Sequence, residues 1–369
     1  MSLLKRFLSI ILSLLLVFSI FSLAGCESRE SESGGSRDKE KSGADIQLGM
    51  TFDTFVMERW QGDRDIFVST ARALGAEVNV QNANGDVNEQ INQINYFIDK
   101  GMDVIIVVAT DATALKETVA RARSKGIKII SYDRLILNSG TDLYISFDNG
   151  TVGKYMADKI IEEMPGGGSI LKIKGPDKDN NVRLVDEGFN EEIAGHGIRV
   201  LDEYSAAEWK GEEASDYLAQ NDDKLEKVQA IMCGNDALAA GAIRYLSERR
   251  LASKITVTGQ DADLDACQRI VEGTQAMTVY KPIEVLAKRA AQCAVTLAEG
   301  GQVNGVGDGQ FTMINDGTYD IPYVSIQPVM VTRENIDEEI IDSGFHLRED
   351  VYLNVREEDG PEVADEGRR

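Results

Sequence analysis

The chain has 369 residues, 43% hydrophobic and 27% charged, a globular composition with material for about two domains. Acidic residues outnumber basic ones 62 to 39, a formal net charge of -23, which argues against nucleic acid as a partner because phosphates must be met by Lys and Arg. Six prolines and four cysteines exclude a Pro-rich fibre and a disulfide-stapled scaffold, and two histidines leave little for a His-based metal or catalytic site.

Lys5 and Arg6 precede an uncharged apolar run from Phe7 to Ala24, which closes on Leu23-Ala24-Gly25-Cys26. A basic start, an apolar middle and small residues before a break describe a secretory signal peptide over residues 1–25. A transmembrane anchor competes, because the run approaches bilayer-spanning length. The ending decides between them: Leu-Ala-Gly-Cys resembles the bacterial lipobox, whose Cys is lipidated and becomes the mature N-terminus. Cys26 is therefore the expected lipidation site, giving an extracytoplasmic protein anchored to the cell membrane. Apart from Ala44, Glu27 to Ala44 are Ser, Gly and charged residues that cannot bury enough apolar surface to fold, so residues 26–44 read as a flexible tether. Cys233, Cys267 and Cys293 show no CxxC pair. Buried free thiols are the favoured reading, with one bridge left open.

From Asp45 the chain alternates β-branched runs with amphipathic segments. Ile46 to Met50 is a strand and Trp60 to Leu74 a helix; Val78 to Val80 is followed by a helix whose Ile91, Ile94 and Ile98 recur at spacings of three and four. Val104 to Val108 is an unbroken apolar run, as in a strand covered on both faces. Helix 112–124 and strands 127–130 and 143–147 complete a first series. A second series starts after Asn149-Gly150 with helix 152–164. Strands 170–173, 198–201, 228–232, 255–258 and 276–279 then alternate with helices 183–193, 212–218, 238–246 and 264–272. Such alternation implies an α/β fold of two similar lobes, each a parallel sheet flanked by helices. Helix 283–299 and strand-like pieces near Phe311 and Val329 return to complete the lobes. The expected organisation is 45–149 plus 280–321 for the N-terminal lobe, 150–279 plus 322–350 for the C-terminal lobe, and an acidic tail over 351–369. Crossings are placed near 148–150, 279–282 and 320–323.

In open parallel sheets, ligands bind beyond the carboxyl ends of the strands. Polar residues gather at those ends: Glu58-Arg59-Trp60, Tyr132-Asp133-Arg134, Asp179-Asn180-Asn181, Asn235-Asp236, Gln260-Asp261 and Tyr280-Lys281-Pro282. Carboxylates, amides and Arg or Lys donors can satisfy hydroxyls cooperatively, and an aromatic face covers the C–H side of a sugar ring. A polyhydroxylated small ligand needs this set. The bland reading is that such residues cap the next helix, expected for Asp111, Asp148 and Asp236, and that Trp60 is core.

The motifs ERWQGDRDIF (58–67), NANG (82–85), YDR (132–134), YISFDN (144–149), GND (234–236), GQDADLDACQRI (259–270), GTQAMTVYKPI (273–283) and GFH (344–346) resemble one family. It is the D-xylose-binding periplasmic proteins of bacterial ABC transporters, in the pentose-binding branch of the type I sugar-binding proteins. The resemblance runs from about Asp45 to His346. It implies two lobes joined by a multi-strand hinge of the periplasmic-binding-protein type I, no cofactor, no metal, an ABC permease as partner and a monomeric state. It also implies sugar contacts from Arg59 and Trp60, the Trp by stacking, from Asp133 and Arg134, from Asn181, Asn235 and Asp261 of the second lobe, and from Lys281 near a crossing. A second aromatic is expected on the opposite sugar face. The segment 204–209 departs from the family pattern by an apparent insertion, which leaves Trp209 and Tyr204 as alternatives.

Three rivals stand beside this expectation. A glycoside hydrolase could use Asp133, Asp236 or Asp261 as a carboxylate pair, but no nucleophile elbow, Walker loop, zinc signature or dinucleotide fingerprint accompanies them. A sugar-sensing repressor needs an N-terminal helix-turn-helix with a basic face, where this chain has an apolar run and an uncharged-to-acidic tether. A sibling specificity (ribose, arabinose, glucose or galactose), with a chemoreceptor-carrier role, is the third. Asp316 to Asp320 lacks the length and acidic spacing of a galactose-type calcium loop.

Overall fold

The computed structural model describes residues 46–57, 59–307 and 309–355. The expected signal peptide, Cys26, the tether and most of the acidic tail lie outside these residues. The first series comprises β1 (Gln47–Phe52), α1 (Arg59–Ala73), β2 (Glu77–Asn82), α2 (Val87–Lys100), β3 (Val104–Val107), α3 (Lys116–Ser124), β4 (Lys128–Tyr132) and β5 (Leu143–Phe147). The second comprises α4 (Asn149–Glu163), β6 (Gly168–Lys174), α5 (Asn180–Ile193), β7 (Ile198–Ser205), α6 (Gly211–Gln220), β8 (Ala230–Cys233), α7 (Asp236–Glu248), β9 (Thr256–Thr258), α8 (Leu264–Glu272) and β10 (Thr278–Tyr280). The chain ends with α9 (Ile283–Ala298), β11 (Gln310–Asn315), β12 (Asp320–Ile326), β13 (Val329–Val331) and α10 (Arg348–Val351).

A seven-stranded sheet runs in the order β11-β12-β5-β4-β3-β1-β2 and a four-stranded one in the order β7-β6-β8-β9. In the first, β3 is buried along its length, because both faces are covered. On one side Phe67 and Ala71 of α1 and Leu286, Ala290 and Ala294 of α9 pack with Met50, Ile106 and Ile145. On the other, Ile94, Phe97 and Ile98 of α2 and Val119 of α3 pack with Ile105 and Ile129. The second sheet is layered the same way, with α6 and α7 on one face and α4 and α5 on the other. Continuous burial of this kind is what the unbroken β-branched runs require.

Antiparallel pairing enters at two places. β11 runs antiparallel along β12 at the edge of the large sheet. β10 continues the parallel series beside β9, through Ala276 N to Val257 O, Gly259 N to Met277 O and Val279 N to Gly259 O, and it also pairs antiparallel with β13. The third crossing lies elsewhere than near 320–323. β12 continues through that region and pairs with β5 from Tyr323 to Ile326, so the chain leaves the large sheet only at Gln327-Pro328. Pro322 does not end β12, because it faces Met313 of the edge strand ahead of the stretch bonded to β5, where its missing N–H breaks no ladder. The N-terminal sheet thus keeps residues 322–326, and the boundary at 321 moves accordingly. Residues beyond it, Val331, Ile336, Ile340 and Val351, pack on Cys267 and Ile270 of α8. Cys233, Cys267 and Cys293 are buried free thiols.

Candidate functional site

Loops at the carboxyl ends of both sheets face one another across a narrow cavity with about 20 Å3 free inside, room for about one water, because ion pairs between the loops fill the rest. Arg59 is the first residue of α1 and is buried. Its Nη2 donates to Asp133 Oδ2 at 2.9 Å, its Nε and Nη2 donate to Asp63 at 3.3 Å, and its Nη1 lies 3.9 Å from Asp261 Oδ1. The guanidinium carbon sits 4.3 Å from the centroid of the Trp60 ring, a cation–π distance. Burial alone would lower the pKa of Arg59, but Asp133, Asp63 and Asp261 together raise it well above its ordinary value. Asp63 is fixed in turn by the hydroxyl of Tyr132, and burial raises its pKa despite Arg59.

Asp133 follows β4 in a left-handed conformation, φ 62°, uncommon for a residue with a side chain and concentrated at functional sites. Its N–H donates to Ile145 O at 2.7 Å, and its carbonyl accepts from Ser146 Oγ at 2.6 Å and Tyr144 Oη at 3.2 Å. These contacts hold the turn so that the carboxylate meets Arg59. Burial would raise the carboxyl pKa, but Arg59, Lys281 and Arg134 hold it below the ordinary value. Arg134 reaches both lobes: Nη1 donates to Asp53 Oδ2 at 2.6 Å, and Nε lies 2.7 Å from Asp179 Oδ2 at the start of α5. Asn181 completes the second-lobe side, donating from Nδ2 to Asp133 Oδ1 at 3.0 Å.

Asp261 also has positive φ, 100°. Lys281 Nζ lies 3.1 Å from its Oδ1, an ion-pair approach without hydrogen-bond alignment, so Oδ1 has no hydrogen-bond partner. Gln260 Oε1 and the indole N–H groups of Trp60 and Trp209 are likewise buried without partners. Uncommitted acceptors and donors in one cavity are costly unless a ligand meets them. Trp209 lies in the loop between β7 and α6 against Gly175. A Cβ at position 175 would fall 2.1 Å from the ring, so only glycine lets the indole reach the cavity. Met57, Val182, Val185 and Met232 add apolar lining.

A family model described as periplasmic binding protein domain matches residues 49–302. The chain belongs to that family. The D-xylose-binding periplasmic protein of Haemophilus influenzae is 39% identical over 314 residues, covering 84% of this chain and 92% of that protein. The D-xylose-binding periplasmic protein of Escherichia coli K12 is 38% identical, with 82% and 91% covered. Among solved structures, an ABC transporter solute-binding protein from Clostridium phytofermentans with bound β-D-glucose aligns with a TM-score of 0.75 at 26% identity, over 83% of this chain and 99% of that one. The fold is that of the type I periplasmic binding proteins.

In this periplasmic binding protein, Arg59, Trp60, Asp133, Arg134, Asn181, Trp209, Asp261 and Lys281 all line the one cavity. Tyr204 does not: its ring stacks on Tyr217 with centroids 4.9 Å apart, and its hydroxyl donates to Glu213. Asn235 also falls outside the lining. Its Oδ1 accepts from Leu238 N at 2.9 Å and caps α7, and it borders the adjoining cleft with Trp209 and Asp261. The capping role expected of Asp236 belongs to Asn235, because Asp236 is already inside the helix. Asp148 caps α4 through Thr151 N, whereas Asp111 closes a turn onto Thr113 and Ala114 ahead of α3. Gln260 and Asp179 also line the cavity; neutral Gln260 has no charge or ring to set it apart at a strand end, and Asp179 caps α5 through Asn181 N, the ordinary role of an Asp ahead of a helix.

Proposed function

We propose that this protein captures D-xylose outside the cytoplasm, by closing its lobes around the sugar, and delivers it to the permease of an ABC transporter. It is a transport binding protein, not an enzyme. The observation that carries the reading is the convergence of polar and aromatic groups from both lobes on one buried cavity, in a chain whose relatives at 38–39% identity are named for D-xylose binding. Sugar hydroxyls replace the contacts that the lobes now make with each other. Asp133 and Asp261 accept, Arg59, Arg134, Lys281 and Asn181 donate, and Trp60 and Trp209 cover the C–H faces of the ring. Three chain crossings, at Phe147–Asn149, Tyr280–Ile283 and Ile326–Val329, confine the motion to a bend about a few backbone positions. Because sugar touches both lobes only in the closed form, its differential affinity drives closure.

Cys26, lipidated, holds the protein at the cell membrane, the tether supplies reach, and the protein acts as a monomer. A second reading, another monosaccharide, is favoured by one observation: the solved relatives at 25–26% identity carry bound glucose. A thermal-shift panel of pentoses and hexoses separates the two, since a ligand that binds only the native state raises its unfolding temperature. D-xylose should give the largest shift; a larger shift with glucose, and none with xylose, overturns the first reading. X-ray scattering should show a smaller radius of gyration with sugar. Cys26→Ser should release soluble protein that still binds it, and retention at the membrane would refute the anchor.

A further inference from the structure

Asp236 does not line the cavity, yet it is fully buried and its carboxylate is the centre of a network directed at the loop that carries Asp261. Oδ2 accepts from Asp263 N at 3.1 Å and from the Thr278 hydroxyl at 2.7 Å, and Oδ1 accepts from Gln275 Nε2 at 2.8 Å. The Thr278 hydroxyl, having donated its proton to Asp236, accepts from Ala262 N at 3.1 Å. The backbone on either side of Asp261 is tied as well. Gln260 O accepts from Asp236 N at 3.0 Å, and Asp261 N donates to Val279 O at 2.9 Å.

Such bracing has a physical purpose at this loop. Asp261 and Ala262 are consecutive non-glycine residues at φ 100° and 56°, a conformation that persists only where the surroundings over-determine it. Asp236 and Thr278 satisfy the two N–H groups, of Ala262 and Asp263, that immediately follow Asp261. The network is itself anchored: Gln275 Oε1 accepts from Arg269 Nε at 2.9 Å, and Arg269 Nη2 donates to Asp236 O at 3.2 Å. Gly259 belongs to the same design, since a Cβ there would fall 2.1 Å from Asp236 Oδ1; the carboxylate is seated against bare backbone. On the outer side, His346 Nε2 lies 2.8 Å from Ala262 O.

We infer that the Asp236–Thr278 pair is the positioning unit of the sugar site: it holds the 260–263 loop in its left-handed form so that the Asp261 carboxylate meets Lys281 and the ligand. The inference rests on the reading that Asp261 contacts the sugar. Neither residue touches the ligand; both act through Asp261.

The test is a set of variants titrated with D-xylose by calorimetry, with unfolding temperature measured on each. Thr278→Val keeps the shape and removes the hydroxyl, leaving Ala262 N–H unpaired; Thr278→Ser restores it. Thr278→Val and Asp236→Ala should each weaken binding tenfold or more, at about the 1.4 kcal/mol that a tenfold change represents, while Thr278→Ser stays within about threefold. In an Asp261→Asn background, Thr278→Val should add less than about threefold, because a unit acting through Asp261 has little left to act on. Losses that multiply in the double variant, or wild-type affinity in Thr278→Val, overturn the inference. So does equal loss in Thr278→Val and Thr278→Ser. Absence of xylose binding by the parent protein removes the functional reading along with this one, whereas a parent that binds and a Thr278→Val that binds alike removes only this one.

Discussion

Replacing Asp133 by Asn takes one negative charge from the cavity and keeps its shape. Asn tolerates the left-handed backbone at this position, so the turn between β4 and β5 should keep its path. In the parent, Asp133 Oδ2 accepts from Arg59 Nη2 at 2.9 Å, and the two side chains are 5% and 3% exposed. The variant leaves the guanidinium facing an amide and a sugar hydroxyl without its acceptor. Truncating one partner of a buried, hydrogen-bonded charge pair costs about 2–5 kcal/mol. Asp63 continues to hold Arg59, so the lower half of that range applies, or about 30- to 300-fold in Kd. Asp133→Ala should lose more, because it removes both side-chain oxygens, which now accept from Arg59 and Asn181. Calorimetric titration with D-xylose, with thermal unfolding as a control for folding, reads both variants. A Kd for Asp133→Asn within about threefold of the parent, well inside the 1.4 kcal/mol of a tenfold change, would refute the assignment and leave Asp133 a structural partner of Arg59.

Gly175→Ala should weaken sugar binding without altering a single polar ligand, since its Cβ would displace the Trp209 ring; unchanged affinity in a titration would mean that Trp209 makes no contact with the sugar. Arg134→Lys should also weaken binding, because one ammonium cannot serve Asp53 and Asp179 in the planar fork that the guanidinium provides, and an unchanged Kd would contradict that. The depressed carboxyl of Asp133 contributes stability that is present above the ordinary carboxylate pKa and is lost as pH falls through its native value. Asp133→Asn should therefore flatten the acid limb of thermal stability below about pH 4, and identical acid limbs in the two proteins would rule this out. The free thiols of Cys233, Cys267 and Cys293 should react with a thiol reagent only after unfolding, because burial raises all three pKa values; rapid reaction of the native protein would contradict their burial.

Much of this architecture is legible in the sequence because burial on both faces leaves a one-dimensional trace. The Val104 to Val108 run placed β3 to within one residue, and the 91-94-98 spacing marked a helix that is α2. The antiparallel pairing of β10 with β13 left no such trace, since it joins segments about fifty residues apart in the chain. Pro322 marks a strand end in a central position but not at an edge, and only the pairing of β11 with β12 reveals which it is. In the site, charged and aromatic residues at strand ends were identifiable because their chemistry is distinctive. Asn235 and Asp236 were exchanged because both types cap helices equally well, and the choice depends on where the first helical turn begins, which neighbouring residues decide. The Thr278 hydroxyl could not be found at all: it matters through Ala262 N–H, a group identical at every residue.

The difference density of a D-xylose complex tests the central claim most directly. The account predicts one pyranose between the lobes, its C–H faces against Trp60 and Trp209 and its hydroxyls within hydrogen-bond distance of Asp133 and Asp261. Density in the cleft bordered by Asn235, or on one lobe alone with this cavity still closed by its own ion pairs, would contradict it.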